Sequence, residues 1–169
     1  MRAVSPAIGR CELTFADRRR IDPRRAAAQH AAYEDALRSA GCSVERLPAA
    51  DDHPDGVFVE DTAVVLPEVA VITRPGADSR KPETASIAQA LAPYRPLVPL
   101  EAPATLDGGD VLVMGRTIFV GLSTRSDRQA ITQLRERLGP FSYTVTGVPL
   151  RGCLHLKSAV TRVDEETLL

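Results

Sequence analysis

The feature of this sequence that most limits its fold is a strand, strand, helix and strand pattern that recurs about every 50 residues. Asp61, Asp110 and Lys157 fall at comparable places in successive copies, each near the start of an apolar stretch. One such unit cannot bury its own apolar face, so the copies must pack side by side in an array or a ring. The sequence therefore predicts an α/β fold of repeated ββαβ modules around a pseudo-axis, three complete and a fourth begun.

Local signals place the elements of this pattern. Asp22 before Pro23 is typical of a helix N-terminus, and Gly41 is typical of a helix end. Helices are predicted over Pro23 to Ser39, from Pro82 to near Pro93, and over 127–138. Strands are predicted where apolar runs lie between turn residues, at 43–47, 57–66, 69–73, 96–100, 110–114, 117–122, 142–148 and 158–163.

Composition restricts the function classes. With 169 residues and 44% hydrophobic content, the chain can build the core of one domain, which we expect to span 1–169. The net charge of -1 gives no general attraction for nucleic acid or an anionic membrane, and no apolar run reaches the ~18 residues of a membrane span. No secretory signal begins the chain, so a cytoplasmic location is expected. Cys11, Cys42 and Cys153 show no metal-type pairing, and no metal site is expected.

Two acidic residues flank a glycine pair at the start of a predicted strand. Glycine readily takes φ > 0, so Gly108 and Gly109 predict a tight turn that leaves Asp107 and Asp110 exposed and lets a ligand approach closely. The competing interpretation is an ordinary turn with solvated acids, because Asp and Gly are common in turns for conformational reasons alone.

Ionisable residues also stand at two other strand starts. Glu60 and Asp61 precede one apolar run, and His155 precedes another. Because the repeat places these strand starts at one end of the modules, Glu60, Asp61, Asp107 and His155 are expected to converge within roughly 10–12 Å, the scale of a small-ligand pocket.

Five segments in one order resemble the dimethylarginine dimethylaminohydrolase family. They are 54–61, 72–80, 106–111, 120–125 and 154–158. The resemblance implies a five-module α/β propeller of ββαβ units, of which this chain would hold about three and a half. It also implies conversion of N-methylated arginines to citrulline and a methylamine, without a metal or an organic cofactor. The family is related to arginine deiminases and amidinotransferases.

The resemblance implies roles for eight residues. His155 would be the general acid/base, with Asp107 as the carboxylate beside it. The substrate-binding residues would be Asp55, Glu60 and Asp61 for the guanidinium and amino groups, Arg80 and Arg125 for the carboxylate, and Leu13 on a lid loop. The family's nucleophile is a cysteine near its C-terminus, in a motif that no segment here matches. The chain is therefore expected to be C-terminally truncated relative to the family.

These residue types suit that chemistry. Paired carboxylates hold a planar guanidinium well, and histidine exchanges protons near neutral pH. Arg80 and Arg125 follow the second strand of their modules at matching places, so they are expected to bind a carboxylate at the other end of the substrate. Cys153 would share a strand face with His155, but a buried thiol is more often inert packing than a nucleophile.

Two other functions stay open at this point. One is a catalytically inactive guanidino-binding or assembly fragment, and the other is a relative that acts on plain arginine or transfers its amidine group. The strand predicted over 158–163 would leave an unpaired sheet edge, which predicts self-association into a homo-oligomer.

Overall fold

The computed structural model describes residues 1–169, in two units formed by residues 1–59 and 60–169. None of its helices combines the length and the apolar character needed to cross a membrane. The predicted site residues are divided between these two units.

The first unit is organised on helix α1 (Pro23–Ser39), which begins and ends as predicted. The Asp22 carboxylate accepts hydrogen bonds from the backbone N–H groups of Arg24 and Arg25, and Gly41 leaves the helix with φ of 87°. The strand predicted over 43–47 is wrong. Leu47 forms an isolated parallel bridge to Arg2, and the Glu45 carbonyl accepts a hydrogen bond from the N-terminal ammonium group at 2.6 Å.

The second unit contains two complete ββαβ modules of the predicted kind, and the predicted count of three complete modules and a fourth begun is not confirmed. In the first, β1 (Ala63–Val65) pairs antiparallel with β2 (Ala70–Ile72), and β2 pairs in parallel with β3 (Leu97–Pro99) after helix α2 (Thr84–Leu91). The helix expected from Pro82 begins instead at Thr84, directly after a 3-10 turn over Asp78–Glu83 that contains Pro82.

The second module repeats this order with longer strands. Strand β4 (Val111–Met114) pairs antiparallel with β5 (Thr117–Leu122), and β5 pairs in parallel with β6 (Thr144–Pro149) after helix α3 (Arg128–Leu138). The Asp127 carboxylate caps α3 by accepting the backbone N–H of Ala130 at 2.8 Å. Two copies of one supersecondary unit are thus confirmed.

Both modules contribute to one hydrophobic core. Its fully buried members come from β2, β5 and α3 and from the segment before β4: Val71, Ala104, Leu106, Ile118, Val120, Ala130 and Leu138. Strands β1 and β4 add Val64 and Val111. This shared core fixes the starts of β1 and β4 relative to each other, and these starts carry the candidate site.

The strand starts themselves are 3-10 turns, which the sequence did not predict. They span Val59–Thr62, Gly108–Asp110 and Leu156–Ser158. The repeated positions Asp61, Asp110 and Lys157 all lie in these turns. Consequently the strand predicted over 57–66 begins at Ala63 rather than Val57.

The strand predicted over 158–163 is also wrong. Beyond the last 3-10 turn, the described pairing is a single bridge between Arg162 and Leu168, within a mostly exposed segment. An extended strand edge at 158–163 is therefore not present as a template for self-association. Closure of the modules into a five-module propeller remains a prediction.

Candidate functional site

Three ionisable side chains from three turns of the second unit converge on one point. One ligand-type atom from each of Asp61, Asp107 and His155 lies within 4.8 Å of the others. His155 Nε2 is 3.8 Å from Asp61 Oδ1. The convergence predicted for these three residues is confirmed, and it follows from the packing of the two modules on a shared core.

Asp107 is fully buried, which corrects the expectation that the glycine turn would expose it. Its Oδ1 accepts the backbone N–H of Gly76 at 2.9 Å, and Oδ2 lies 3.4 Å from an Arg125 guanidinium nitrogen. Its own N–H donates to the Ser126 hydroxyl at 3.1 Å. Burial raises the pKa of Asp107, and the nearby charge of Asp61 adds to this effect, while Gly76 and Arg125 oppose it.

Asp61 is held by a buried arginine. Arg80 donates to Asp61 Oδ2 at 2.6 Å and to Glu83 Oε2 at 2.9 and 3.2 Å. Burial acts to lower the pKa of Arg80, but hydrogen bonding to Glu83 and the charge of Asp61 outweigh it and raise that pKa. The Arg80 guanidinium therefore stays charged and neutralises two buried carboxylates.

The arginines are not separated from the acids as expected. Arg80 contacts Asp61 and Arg125 contacts Asp107, so each predicted carboxylate-binding arginine forms an ion pair with a predicted guanidinium-binding acid. Opposite charges this deeply buried attract each other strongly in the absence of competing water. The arginines therefore lie beside the acids in this structure, and binding of a substrate carboxylate by Arg80 and Arg125 stays a prediction.

Asp110 belongs to the site, although sequence reasoning gave it no chemical role. It is fully buried, and its Oδ2 accepts hydrogen bonds from the hydroxyls of Ser123 at 2.7 Å and Ser126 at 2.6 Å. Its Oδ1 accepts the backbone N–H of Leu156 at 3.0 Å. Burial alone would raise the pKa of Asp110, but attraction to His155 and the two serine hydrogen bonds hold that pKa below its usual value. The repeated position that it shares with Asp61 was the available signal.

His155 lies between carboxylates. Its Nδ1 is 3.6 Å from Asp110 Oδ2, and its side chain is 14% exposed. Burial acts to lower the pKa of His155, but Asp110, Asp61 and Asp107 together outweigh burial and raise it. A histidine so placed is protonated over more of the neutral pH range than a free imidazole.

The glycine pair allows other groups to lie close to its backbone, and in this structure these groups are residues of the protein itself rather than a ligand. A Cβ atom at Gly109 would lie 2.8 Å from two ring carbons of His155 and 2.9 Å from Asp61 Oδ1, and at Gly108 it would lie 2.0 Å from the Glu60 carbonyl oxygen. Neither glycine has positive φ, which corrects the expected turn conformation. The Gly109 N–H donates to Asp61 Oδ1 at 2.9 Å, so this backbone orients the acid and supports the imidazole ring.

Glu60 forms an ion pair with Lys157. Its Oε1 lies 2.5 Å from the ammonium nitrogen of Lys157, and its side chain is 66% exposed. The convergence predicted for the Glu60 side chain stays a prediction, and its backbone carbonyl lies close to the Gly108 turn. This ion pair joins two of the three 3-10 turns.

Leu13 and Asp55 lie in the first unit. Leu13 is partly exposed on the loop before α1 and lines a cavity of about 310 Å³ together with Arg18, Arg19 and Ile21. Asp55 is buried, and both of its oxygens accept the Glu12 N–H, at 3.0 and 3.2 Å. Asp55 thus has a structural partner of its own.

Cys153 does not lie on a strand, because residues 152–154 form bends. The expectation that Cys153 and His155 share a strand face is therefore wrong. Cys153 is half-buried, Cys11 is buried and Cys42 is exposed, and all three are free thiols. Burial raises the pKa of Cys11, and the charge of Asp55 adds to this effect.

The spacing of Asp61, Asp107 and His155 would suit a metal ion as well as an organic cation. Arg80 and Arg125 already bring positive charge to the two carboxylates. The described contacts therefore favour an ion-pair network, and we assign no metal to these residues.

Comparison with known proteins finds relatives that cover most or all of the chain. The family model for N,N dimethylarginine dimethylhydrolase, eukaryotic, matches residues 11–162. An N(G),N(G)-dimethylarginine dimethylaminohydrolase from Streptomyces coelicolor is 42% identical over 170 residues, which cover 100% of this chain and 66% of that protein. The chain belongs to the dimethylarginine dimethylaminohydrolase family.

Other members of the dimethylarginine dimethylaminohydrolase family support the fold. The Pseudomonas aeruginosa member is 33% identical over 150 residues, covering 88% of this chain and 59% of that protein. A crystal structure of a mutant of that enzyme, complexed with citrulline, matches with a TM-score of 0.94 and 31% identity, over 99% of this chain and 66% of that one. The chain thus spans about two thirds or less of the length of these family members.

Proposed function

We propose that this protein hydrolyses N-methylated arginines, namely asymmetric dimethylarginine and monomethylarginine, to citrulline and a methylamine. The observation that carries this proposal is the convergence of two buried carboxylates and one imidazole, in Asp61, Asp107 and His155, on one point. The citrulline complex of the Pseudomonas aeruginosa relative supports the same product class.

The two carboxylates would bind the guanidinium group of the substrate. A carboxylate offers about four acceptor positions. The hydrogen bonds to Gly109 and Arg80 use one position on each oxygen of Asp61, and Gly76 and Arg125 do the same on Asp107. A substrate guanidinium would share these acids with the two arginines or displace them, since Asp107 is fully buried in the described state.

His155 would exchange protons with the reacting groups. Guanidinium carbon is a weak electrophile, so the departing amine must receive a proton as its C–N bond breaks. Because the surrounding acids raise the pKa of His155, its protonated form is available for that step near neutral pH. The neutral imidazole formed can then take a proton from water that attacks the covalent intermediate.

The resemblance implies that this intermediate is a thiouronium on a cysteine. A thiolate adds to the guanidinium carbon, the methylamine leaves with the proton from His155, and water releases citrulline and regenerates the thiol. The cysteine is expected in a family motif that the matched segments of this chain do not include. Catalysis by the 169-residue chain alone is therefore not expected.

The remaining sequence-based roles also stay predictions. Leu13, Asp55 and Glu60 are expected to bind the substrate, and Arg80 and Arg125 its carboxylate, as the resemblance implies. A cytoplasmic location is likewise predicted from the sequence. Leu13 and Asp55 can be tested separately from the second unit, because each has its own contacts in residues 1–59.

The test has a binding arm and a turnover arm. In the first, calorimetry measures binding of asymmetric dimethylarginine and citrulline to the chain, with Asp61→Asn as the disabled variant and Asp78→Asn as the control. Asp78 is exposed and pairs with Lys81, so its substitution removes a charge of the same sign outside the cluster. Binding by wild type and D78N, lost in D61N, supports the proposal, and equal binding by D61N contradicts it.

In the turnover arm, citrulline release is measured for the chain alone and for the chain joined to the remaining third of the Streptomyces coelicolor relative. We expect release only from the joined protein, and its loss on His155→Ala. A joined protein that binds the substrate without releasing citrulline would instead indicate a guanidino-binding module. Citrulline release by the chain alone, lost on Cys153→Ser, would make Cys153 the nucleophile.

A further inference from the structure

We propose that Asp110 is the positioning residue of His155: its carboxylate, held by Ser123 and Ser126, orients the imidazole ring and selects its tautomer. The geometric part of this inference stands on the contacts of the second unit. Its meaning for catalysis rests on the function proposed above.

Asp110 is built as a fixed acceptor. It has no exposure to solvent, and three donors hold its two oxygens at 2.6 to 3.0 Å. Two of these donors are hydroxyls of the loop that follows β5, and the third is the backbone N–H of Leu156, the residue after His155. A buried carboxylate with so many donors keeps its charge and its orientation. The Leu156 hydrogen bond also ties the backbone beside His155 to the same carboxylate.

The imidazole of His155 needs such an acceptor. Its Nδ1 is buried and has no hydrogen-bond partner, and Asp110 Oδ2 lies 3.6 Å away. A normal N–H···O distance is about 2.7–3.2 Å, so a ring shift of less than about 1 Å would complete the hydrogen bond. On its other side the ring lies against Gly109, where even a methyl group would clash.

These contacts define which nitrogen carries the proton in the neutral ring. With Nδ1–H directed at Asp110, the Nε2 lone pair is directed to the side of Asp61, whose Oδ1 is 3.8 Å away. Nε2 is then the nitrogen that exchanges protons with a ligand at the convergent acids. In histidines generally, the hydrogen bond made by one imidazole nitrogen determines which nitrogen is protonated and leaves the other free to exchange protons.

Asp107 is less suited to this role, although the resemblance places it beside the histidine. Its oxygens already accept from Gly76 and pair with Arg125. The described ion pairs of His155 within 4.0 Å are to Asp61 and Asp110. Asp107 is therefore a third carboxylate of the cluster, and Asp110 is the one aligned with Nδ1.

The test is histidine NMR on the 169-residue chain. The chain has three histidines, so His155→Gln identifies the signals of His155 directly. Long-range ¹H–¹⁵N correlation reports the tautomer, and a pH series reports the protonation midpoint. In wild type we expect the Nδ1–H tautomer. Asp110→Asn should lower the midpoint and populate Nε2–H, Asp107→Asn should lower the midpoint less, and Asp78→Asn should change neither.

A second variant keeps the inference testable if D110N does not fold. Ser123→Ala removes one donor from Asp110, which makes its carboxylate a stronger acceptor for protonated His155 and should raise the midpoint. A raised midpoint with the Nδ1–H tautomer retained supports Asp110. An unchanged midpoint in S123A, a larger fall in D107N than in D110N, or an Nε2–H tautomer in wild type would overturn the inference.

The result does not depend on turnover. If methylarginine hydrolysis fails while the tautomer and the midpoints respond as expected, the proposed function is wrong and the orientation of His155 by Asp110 stands. If hydrolysis is observed while the tautomer is Nε2–H, the function stands and Asp110 is not the positioning residue.

Discussion

Gly109→Ala should damage the candidate site by a steric route that can be measured. The added Cβ would lie 2.8 Å from Cγ and Cδ2 of His155, whereas carbon atoms in optimal contact are about 3.5–4.0 Å apart. The ring would have to move by roughly 0.7–1.2 Å. This movement is unfavourable because it changes the distances from the two ring nitrogens to Asp110 and Asp61.

The expected loss of stability is about 1–3 kcal/mol, the usual cost of inserting a methyl group into a filled site. Urea unfolding followed by circular dichroism measures this loss, and the NMR signals of His155 report the movement of the ring. The matched control is Gly9→Ala. Gly9 lies in a 3-10 turn over Ile8–Arg10 without positive φ, and an added Cβ there would meet nothing within 4 Å, so alanine should stabilise by about 0.4–1 kcal/mol. A G109A protein as stable as wild type, with unshifted His155 signals, would refute this packing of ring and backbone.

Three further outcomes are expected. Arg80→Ala leaves Asp61 and Glu83 as uncompensated buried charges, so it should lower the free energy of unfolding in urea by about 3–5 kcal/mol. The control Lys81→Ala removes a partner from an exposed ion pair and should change that free energy by no more than about 0.5 kcal/mol. Equal losses in the two variants would contradict the buried network. Because the folded-state pKa of His155 is raised, protonated His155 stabilises the folded protein fully below the unfolded pKa of about 6.5, and this stabilisation is lost as pH rises through the higher folded pKa. The difference in unfolding free energy between wild type and His155→Gln should therefore shrink from pH 5 to pH 9. A difference that grows over this range would contradict the raised pKa. Asp22→Ala removes the cap of α1 and should cost about 1 kcal/mol with a loss of helical signal, and an unchanged protein would show that the cap contributes nothing.

The elements that sequence predicted well are those with local signals at both ends. Helix α1 has a capping acid and a proline at its start and a glycine after its end, all within the same stretch of chain. Strand β5 was bounded correctly because apolar residues run between a glycine turn and a polar loop. In such segments the neighbouring residues alone determine the conformation.

The 3-10 turns could not be predicted in the same way. Residues 57–59 are as apolar as the strand that follows Thr62, but the chain turns over Val59–Thr62, and the Thr62 carbonyl accepts the Thr73 N–H. Similarly, the burial of Asp107 depends on an N–H and a guanidinium from Gly76 and Arg125, which lie 31 and 18 residues away in sequence. Local composition reports that acids favour turns, and it contains no information on which distant donors will cover them.

For the candidate site, the sequence located the positions but not their pairing. The acids and the histidine were placed at one end of the modules because the repeat aligns strand starts, and this was enough to bring Asp61, Asp107 and His155 together. Repeat register does not specify side-chain direction, which explains why Glu60 points to Lys157 and why the arginines pair with the acids.

The three 3-10 turns have a consequence for how such a protein can change. In the second and third turns the backbone hydrogen bond forms between main-chain groups alone: the Asp110 N–H donates to the Asp107 carbonyl, and the Ser158 N–H donates to the His155 carbonyl. The residue whose carbonyl accepts this bond therefore carries a carboxylate in Asp107 and an imidazole in His155. The ionisable side chain of one turn can therefore change while the backbone of the other turns stays the same. Such a family can acquire a new ligand preference one residue at a time.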